Sequence, residues 1–487
     1  MHTAIRLPAG IALCLFVGVS STLTAQSARL VELAKQQDRG AVRTMVAAGG
    51  DVNVAQGDGA TALHWAAHWD DVEMAGLLLR AGARINAAND FGVTPLLLAS
   101  ANGQMAMIAL LLEAGADPNV ASANGEAPLM AAARTGNVDV VQALLDRGAD
   151  VNYQAPGNGQ SALMWAISER HSNVARRLVE RGADIQARSI GGYSPLLFAA
   201  RAGDLESATM LIAGGADVND KAPDQTSALV VAVVRGHTTL AIHLLEHGAD
   251  ANANATGYAA LHWASGSWET ELTGPNGIDA QGDEEWRSLA GVSGGKVELI
   301  RALLAHGADA NARLAKAPPR VGYTQLAVEH RVAGVNPYPG ATPFLLAAMA
   351  ADVDVMRVLA EHGADPRLAA NDGTTALMVA AGLGRYLAES RVTETRALAA
   401  VKLALDLGGE INAVNESGNA ALHGAAQTKD NTIIKVLAEK GADLNLRNKR
   451  GQTPVMIADT VRAGSATVNQ KTPTGDLLRA LGAAPAK

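Results

Sequence analysis

Six carboxylates crowd one short stretch of the chain. Glu269, Glu271, Asp279, Asp283, Glu284 and Glu285 lie between Trp268 and Trp286, with Arg287 as the cation beside them. Calcium wants several oxygen ligands, so the stretch could hold that ion. The strict alternation of a calcium-binding loop is absent, however, and a solvated acidic loop is the plainer reading. Carboxylates working on a glycosidic bond would need an enclosed pocket, which nothing in the stretch implies. Histidines come next as candidates for metal or proton chemistry. His247, His306 and His362 each precede a glycine at the end of an apolar helical pattern. A cation suits the helix dipole there and can bond the last carbonyls. The one cysteine, Cys14, sits inside an apolar run near the start of the chain. No catalytic residue, cofactor or metal ligand is expected from these groups.

The elements that carry such groups are set by a repeat. A phrase close to Gly-Ala-Asp-x-Asn ends at Asn53, Asn86, Asn119, Asn152, Gln186, Asn219, Asn252, Asn311, Arg367, Asn412 and Asn445, mostly 33 residues apart. A fixed period of that size marks one supersecondary unit copied along the chain. A second phrase runs in step with it, as in Thr61-Ala62-Leu63-His64-Trp65-Ala66 and Ser194-Pro195-Leu196-Leu197-Phe198-Ala199. Residues 94–125 show what one copy builds. Pro95 suits the first turn of a helix, Leu96, Leu98 and Ala99 start an apolar face, and Gly103 ends it. Met107, Ile108, Leu110, Leu111 and Leu112 recur at helical spacing in a second helix. Gly115 then supplies a C-cap, and Asp117, Pro118 and Asn119 form a turn. Neither helix is long enough to stand alone, so each copy must bury its face against a neighbour.

The paired phrases resemble the ankyrin repeat, whose hallmark is Thr-Pro-Leu-His-x-Ala in a unit of two helices and a turn. The resemblance covers residues 28–485 and implies an all-α ankyrin-repeat solenoid of about twelve helix-turn-helix units with hairpin-like turns, elongated and curved. Unit starts fall near 28, 60, 93, 126, 160, 193, 226, 258, 341, 374, 419 and 452. It implies a structural hydrogen-bonding role for His64, His262 and His423. It also implies a non-enzymatic scaffold that binds a protein partner through its concave face. The positions the family exposes there are filled by His68, Trp69, Arg134, Glu169, Arg201, Arg235 and Trp268, and turn residues Phe91 and Tyr193 could extend the surface. Tryptophan and arginine are the types most enriched in interface hot spots. Core filling is the expectation for Trp65, Trp165 and Trp263, where the family commonly has leucine.

A net charge of -8 without a basic block argues against nucleic-acid binding. Residues 1–25 read as a signal peptide, with Arg6, an apolar run from Ile11 to Val19 and cleavage expected after Ala25. The run is too short for a membrane anchor. The expectation is therefore a secreted or periplasmic protein of bacterial type, monomeric and not inserted in a membrane after cleavage. Three inserts break the period, at 265–295 between helices, at 314–340 in a turn and at 383–394. Inserts in repeat arrays often modify the binding face. They support an alternative in which the 265–340 inserts form a lid over a small molecule, glycan or calcium.

Overall fold

The computed structural model describes residues 29–254, 257–266, 294–315, 339–385, 392–463 and 466–484. Residues 1–25, Trp268, the six carboxylates, the bulk of the first two inserts and residues 386–391 of the third lie outside the described residues. The chain divides into two compact bodies, Met1–Ala216 and Asp217–Lys487. Among the described residues the helices fall into twelve consecutive pairs, six in each body.

The first body runs from a helix at 29–35 paired with Arg39–Ala47 to Pro195–Ala202 paired with Leu205–Ala213. Within it, from Ala62–His68 onward each first helix packs on the first helix of the next repeat, and from Arg39–Ala47 onward each second helix does likewise. The pair Pro95–Asn102 and Met105–Glu113 shows the local causes. Thr94 caps the first helix by accepting from the Leu97 N–H at 3.2 Å, and Pro95 takes a position whose N–H would have had no partner. Gly103, at φ 68°, ends the helix in the left-handed conformation. The second helix buries Met107, Ile108, Leu111 and Leu112, and a leucine taken fully out of water contributes about 1.5–3 kcal/mol. Leu98 and Leu110 are only half-buried, against the apolar faces expected for them. Leu96 and Leu97 fill the interior side of the first helix instead, which turns Leu98 outward beside its neighbours in the row.

The second body repeats the plan from Ala228–Val234 with Thr238–Glu246 to Pro454–Ala458 with Pro473–Ala480. Its last pair holds a two-stranded antiparallel ribbon, Thr460–Ala463 with Ala466–Asn469, in register Val461 to Val468. Among the described residues that ribbon is a small exception to an otherwise helical plan. Buried Asp459 stands at its base, accepting from the Thr472 N–H at 3.0 Å and pairing with Arg479.

The recurring asparagine does more than form a turn. Asn119 donates to the Gly148 carbonyl at 2.9 Å and accepts from the Asp150 N–H at 2.8 Å, so one side chain ties its turn to the next. Asn53, Asn152, Asn219, Asn252 and Asn311 make the same two bonds within their own bodies. Gln186 donates to the Gly215 carbonyl at 3.0 Å, and Arg367 turns back on Asp365. A hydrogen bond of this kind contributes about 1 kcal/mol. Asn119→Ala is therefore expected to cost about 1–2 kcal/mol in urea unfolding, because it removes two such bonds. A loss near zero would contradict the bridging role.

Candidate functional site

Helix ends in the first body gather the exposed aromatic and cationic groups. Trp65 lies half-buried in Ala62–His68, and its indole N–H donates to Gln56 Oε1 at 3.2 Å. The Lys35 ammonium, from the preceding repeat, stands 5.3 Å from the Trp65 ring centre. Trp69 stacks on Trp65 at 6.4 Å and donates its N–H to the Lys35 carbonyl at 3.1 Å. His68 meets both rings edge-on, at 5.7 Å and 4.6 Å. Hydrogen bonds fix the two indoles, yet Trp69 keeps 43% of its surface exposed. A rigid aromatic surface with a cation over one ring is what a desolvated contact needs, since little side-chain freedom remains to be lost.

The same geometry recurs further along that body. Arg134 occupies the register position of Lys35, and its guanidinium stands 5.3 Å from the ring of Trp165 in the following repeat. Its other neighbour is Glu126, at 3.4 Å. Turn tips add exposed apolar groups, with Phe91 at 65% and Ile190 at 69%.

Of the residues singled out in the sequence, His68 and Trp69 thus come together and Arg134 joins an aromatic partner. Glu169 is exposed at the end of Ala162–Ser168, and Tyr193 is half-buried. Arg201 and Arg235 are half-buried and have partners, and Arg235 belongs to the second body. Trp268 lies outside the described residues. Lys35, Trp65, Trp165 and Ile190 were not expected at a surface site. The signal for Lys35 was its register, the same as that of Arg134. Trp263 and Phe198, in the row of Trp65, are buried as core.

Histidines divide into two kinds. His64, His262 and His423 are buried, and each accepts at Nδ1 from the backbone N–H three residues earlier, at 3.0–3.1 Å. Their Nε2 atoms face the carbonyls of Val93, Ala312 and Gln452, which fixes a neutral ring that donates from Nε2. Burial pushes all three pKa values down, that of His262 to about 4. Among the described residues no three His, Cys, Asp or Glu side chains could share a metal ion. The expectation that the chain has no His-x-x-x-His and no Gly-x-Ser-x-Gly is wrong: His243 and His247 make the first, at the end of one helix, and Gly291-Val292-Ser293-Gly294-Gly295 makes the second. Ser293 lies outside the described residues.

A cleft of about 640 Å³ opens in the first body against Ser172–Glu180 and Leu205–Ala213. Arg176 pairs there with Glu206 at 2.5 Å, and the Ser172 hydroxyl donates to Asp204 at 2.9 Å. No helix among the described residues is long and apolar enough to cross a membrane.

Comparison with known proteins adds the family. The profile described as "Ankyrin repeats (3 copies)" matches residues 30–122, 107–189, 196–271 and 390–464, and "Ankyrin repeat" matches 340–371. An ankyrin repeat-containing protein of Schizosaccharomyces pombe is 32% identical over 66 residues, 14% of this chain and 32% of that protein. Neurogenic locus notch homolog protein 1 of Danio rerio is 34% identical over 129 residues, 26% of this chain and 5% of that protein. The chain thus spans about a third or less of the length of these relatives. The solved ankyrin repeat domain of human ASB11 is 27% identical, with a TM-score of 0.40 over 45% of this chain and 98% of that one.

Proposed function

The chain belongs to the ankyrin-repeat family, and on that premise we propose that it is a non-enzymatic, extracytoplasmic scaffold for a protein partner. Ankyrin repeats generally mediate protein–protein binding. The proposed surface is the row of first-helix ends and turn tips in the first body. One observation carries the reading: Trp69 is held in place by His68, Trp65 and the Lys35 carbonyl while nearly half of it remains open. Burying such a preorganised indole under a partner gains apolar contact at small entropic cost. The extracytoplasmic assignment rests on residues 1–25 alone. A fusion of residues 1–30 to a reporter active only outside the cytoplasm tests it, and an inactive fusion removes that part of the proposal.

Capture from a periplasmic or secreted fraction by the immobilised chain tests the partner surface. Trp69→Ala and Arg134→Ala are each expected to weaken capture about thirtyfold, or about 2 kcal/mol, with an unchanged melting profile. Deleting residues 267–293 should leave capture intact. If the deletion abolishes capture while both substitutions are silent, the site belongs to the inserts and the first-helix surface is the wrong one.

A further inference from the structure

We propose that His243 and His247 form a two-histidine site for a divalent first-row transition-metal ion at the end of the second helix of their repeat, Thr238–Glu246, whose C-cap is His247. Residues four apart on a helix share a face, and the two rings lie 4.2 Å apart between centres, tilted at 45°. His247 Nδ1 donates to the His243 carbonyl at 2.8 Å. That bond fixes the tautomer and leaves the Nε2 lone pair directed away from the backbone, the arrangement that metal-binding imidazoles use. His362, at the matching helix end, makes the same bond to the Val358 carbonyl at 2.7 Å. The orientation of His247 is therefore a property of the repeat. The second imidazole one turn earlier is not, because Val358 and Ala302 stand where His243 does.

The surroundings suit a cation. His247 is exposed, His243 is half-buried, and Glu246 is an exposed carboxylate beside them. His243 keeps a further interaction of its own. Zinc sits about 2 Å from each imidazole nitrogen that binds it. No third protein ligand joins among the described residues, so water completes the coordination. Copper should bind more tightly than nickel or zinc at imidazole ligands.

Calorimetric titration of the full chain with zinc and with nickel tests the site. Losing either histidine removes the chelate, so His243→Ala and His247→Ala should each weaken metal binding about tenfold or more. His362→Ala should leave it unchanged. His243→Gln covers the possibility that alanine loosens the half-buried position. Zinc should also raise the melting temperature of the wild-type chain and of His362→Ala, and not that of the three site variants. Binding or melting shifts that survive His243→Gln or His247→Ala would overturn the proposal, as would equal losses in His362→Ala.

Discussion

Leu111→Ala is expected to lower the stability of the first body by about 3 kcal/mol, read as a shift in the urea midpoint at constant slope. Leu111 is fully buried in Met105–Glu113 beside Met107, Ile108 and Leu112. Truncation loses the transfer energy of the removed carbons and leaves a cavity that close-packed neighbours fill only partly. A nine-residue helix has little intrinsic stability to absorb the loss, because it persists through its packed face. In an array where each repeat leans on its neighbours, the damage also weakens the coupling on both sides. Leu98→Ala is the control, since Leu98 is half-exposed and should cost under about 1 kcal/mol. If the two substitutions shift the midpoint equally, Leu111 is not the packing centre described.

That contrast also marks where the fold was legible in the sequence. Gly103, Pro95 and the Leu111 row announce helix ends and faces locally, and local patterns survive reading along a chain. The bridging role of Asn119 was hidden for a physical reason. An asparagine in a turn can satisfy its amide within a few residues, so nothing local says that Gly148 and Asp150 are its partners. The ribbon at Thr460–Ala463 and Ala466–Asn469 was missed because the repeat phrase on either side suggested helices throughout. Leu98 shares the apolar pattern of Leu96 and Ala99, yet it is half-buried, because pattern over one short helix does not fix how far each leucine turns inward.

At the candidate site the residue types were informative and the pairings were not. Trp69 stands out as a large aromatic at a register position open to water. Lys35 looks like an ordinary polar residue of an end repeat, and only the superposition of adjacent repeats brings it over Trp65. Arg134 over Trp165 repeats the arrangement across 31 residues of sequence. A cation–π contact depends on two side chains converging from different repeats, and spacing within one repeat carries no trace of it. The pair His243 and His247 is the opposite case, a local spacing that could have been read directly.

Acidification from about pH 6.5 to about pH 4 is expected to destabilise the second body by about 3 kcal/mol through His262 alone. His262 is 1% exposed, and its neutral ring bridges the Ala259 N–H and the Ala312 carbonyl. Its pKa falls from an ordinary 6.5 to about 4 because burial penalises the imidazolium. The sign follows from proton counts. Above pH 6.5 neither the folded nor the unfolded ring holds the extra proton, so the fold keeps its full stability. Between the two values the unfolded chain takes up a proton that the folded chain refuses, and stability is lost as pH falls. His423 acts in the same direction within that body, and His64 does so in the first. Burial of Asp430 works the other way, raising a carboxyl that the folded chain would rather keep protonated. Urea midpoints at pH 7.5, 5.5 and 4.5 should therefore fall steadily. His262→Gln should start lower at pH 7.5 and show a flatter decline, because glutamine keeps a donor and an acceptor but cannot titrate. A wild-type midpoint that holds between pH 7.5 and 4.5, or a variant that declines as steeply as wild type, would show that His262 is not the acid-sensitive joint of the repeat.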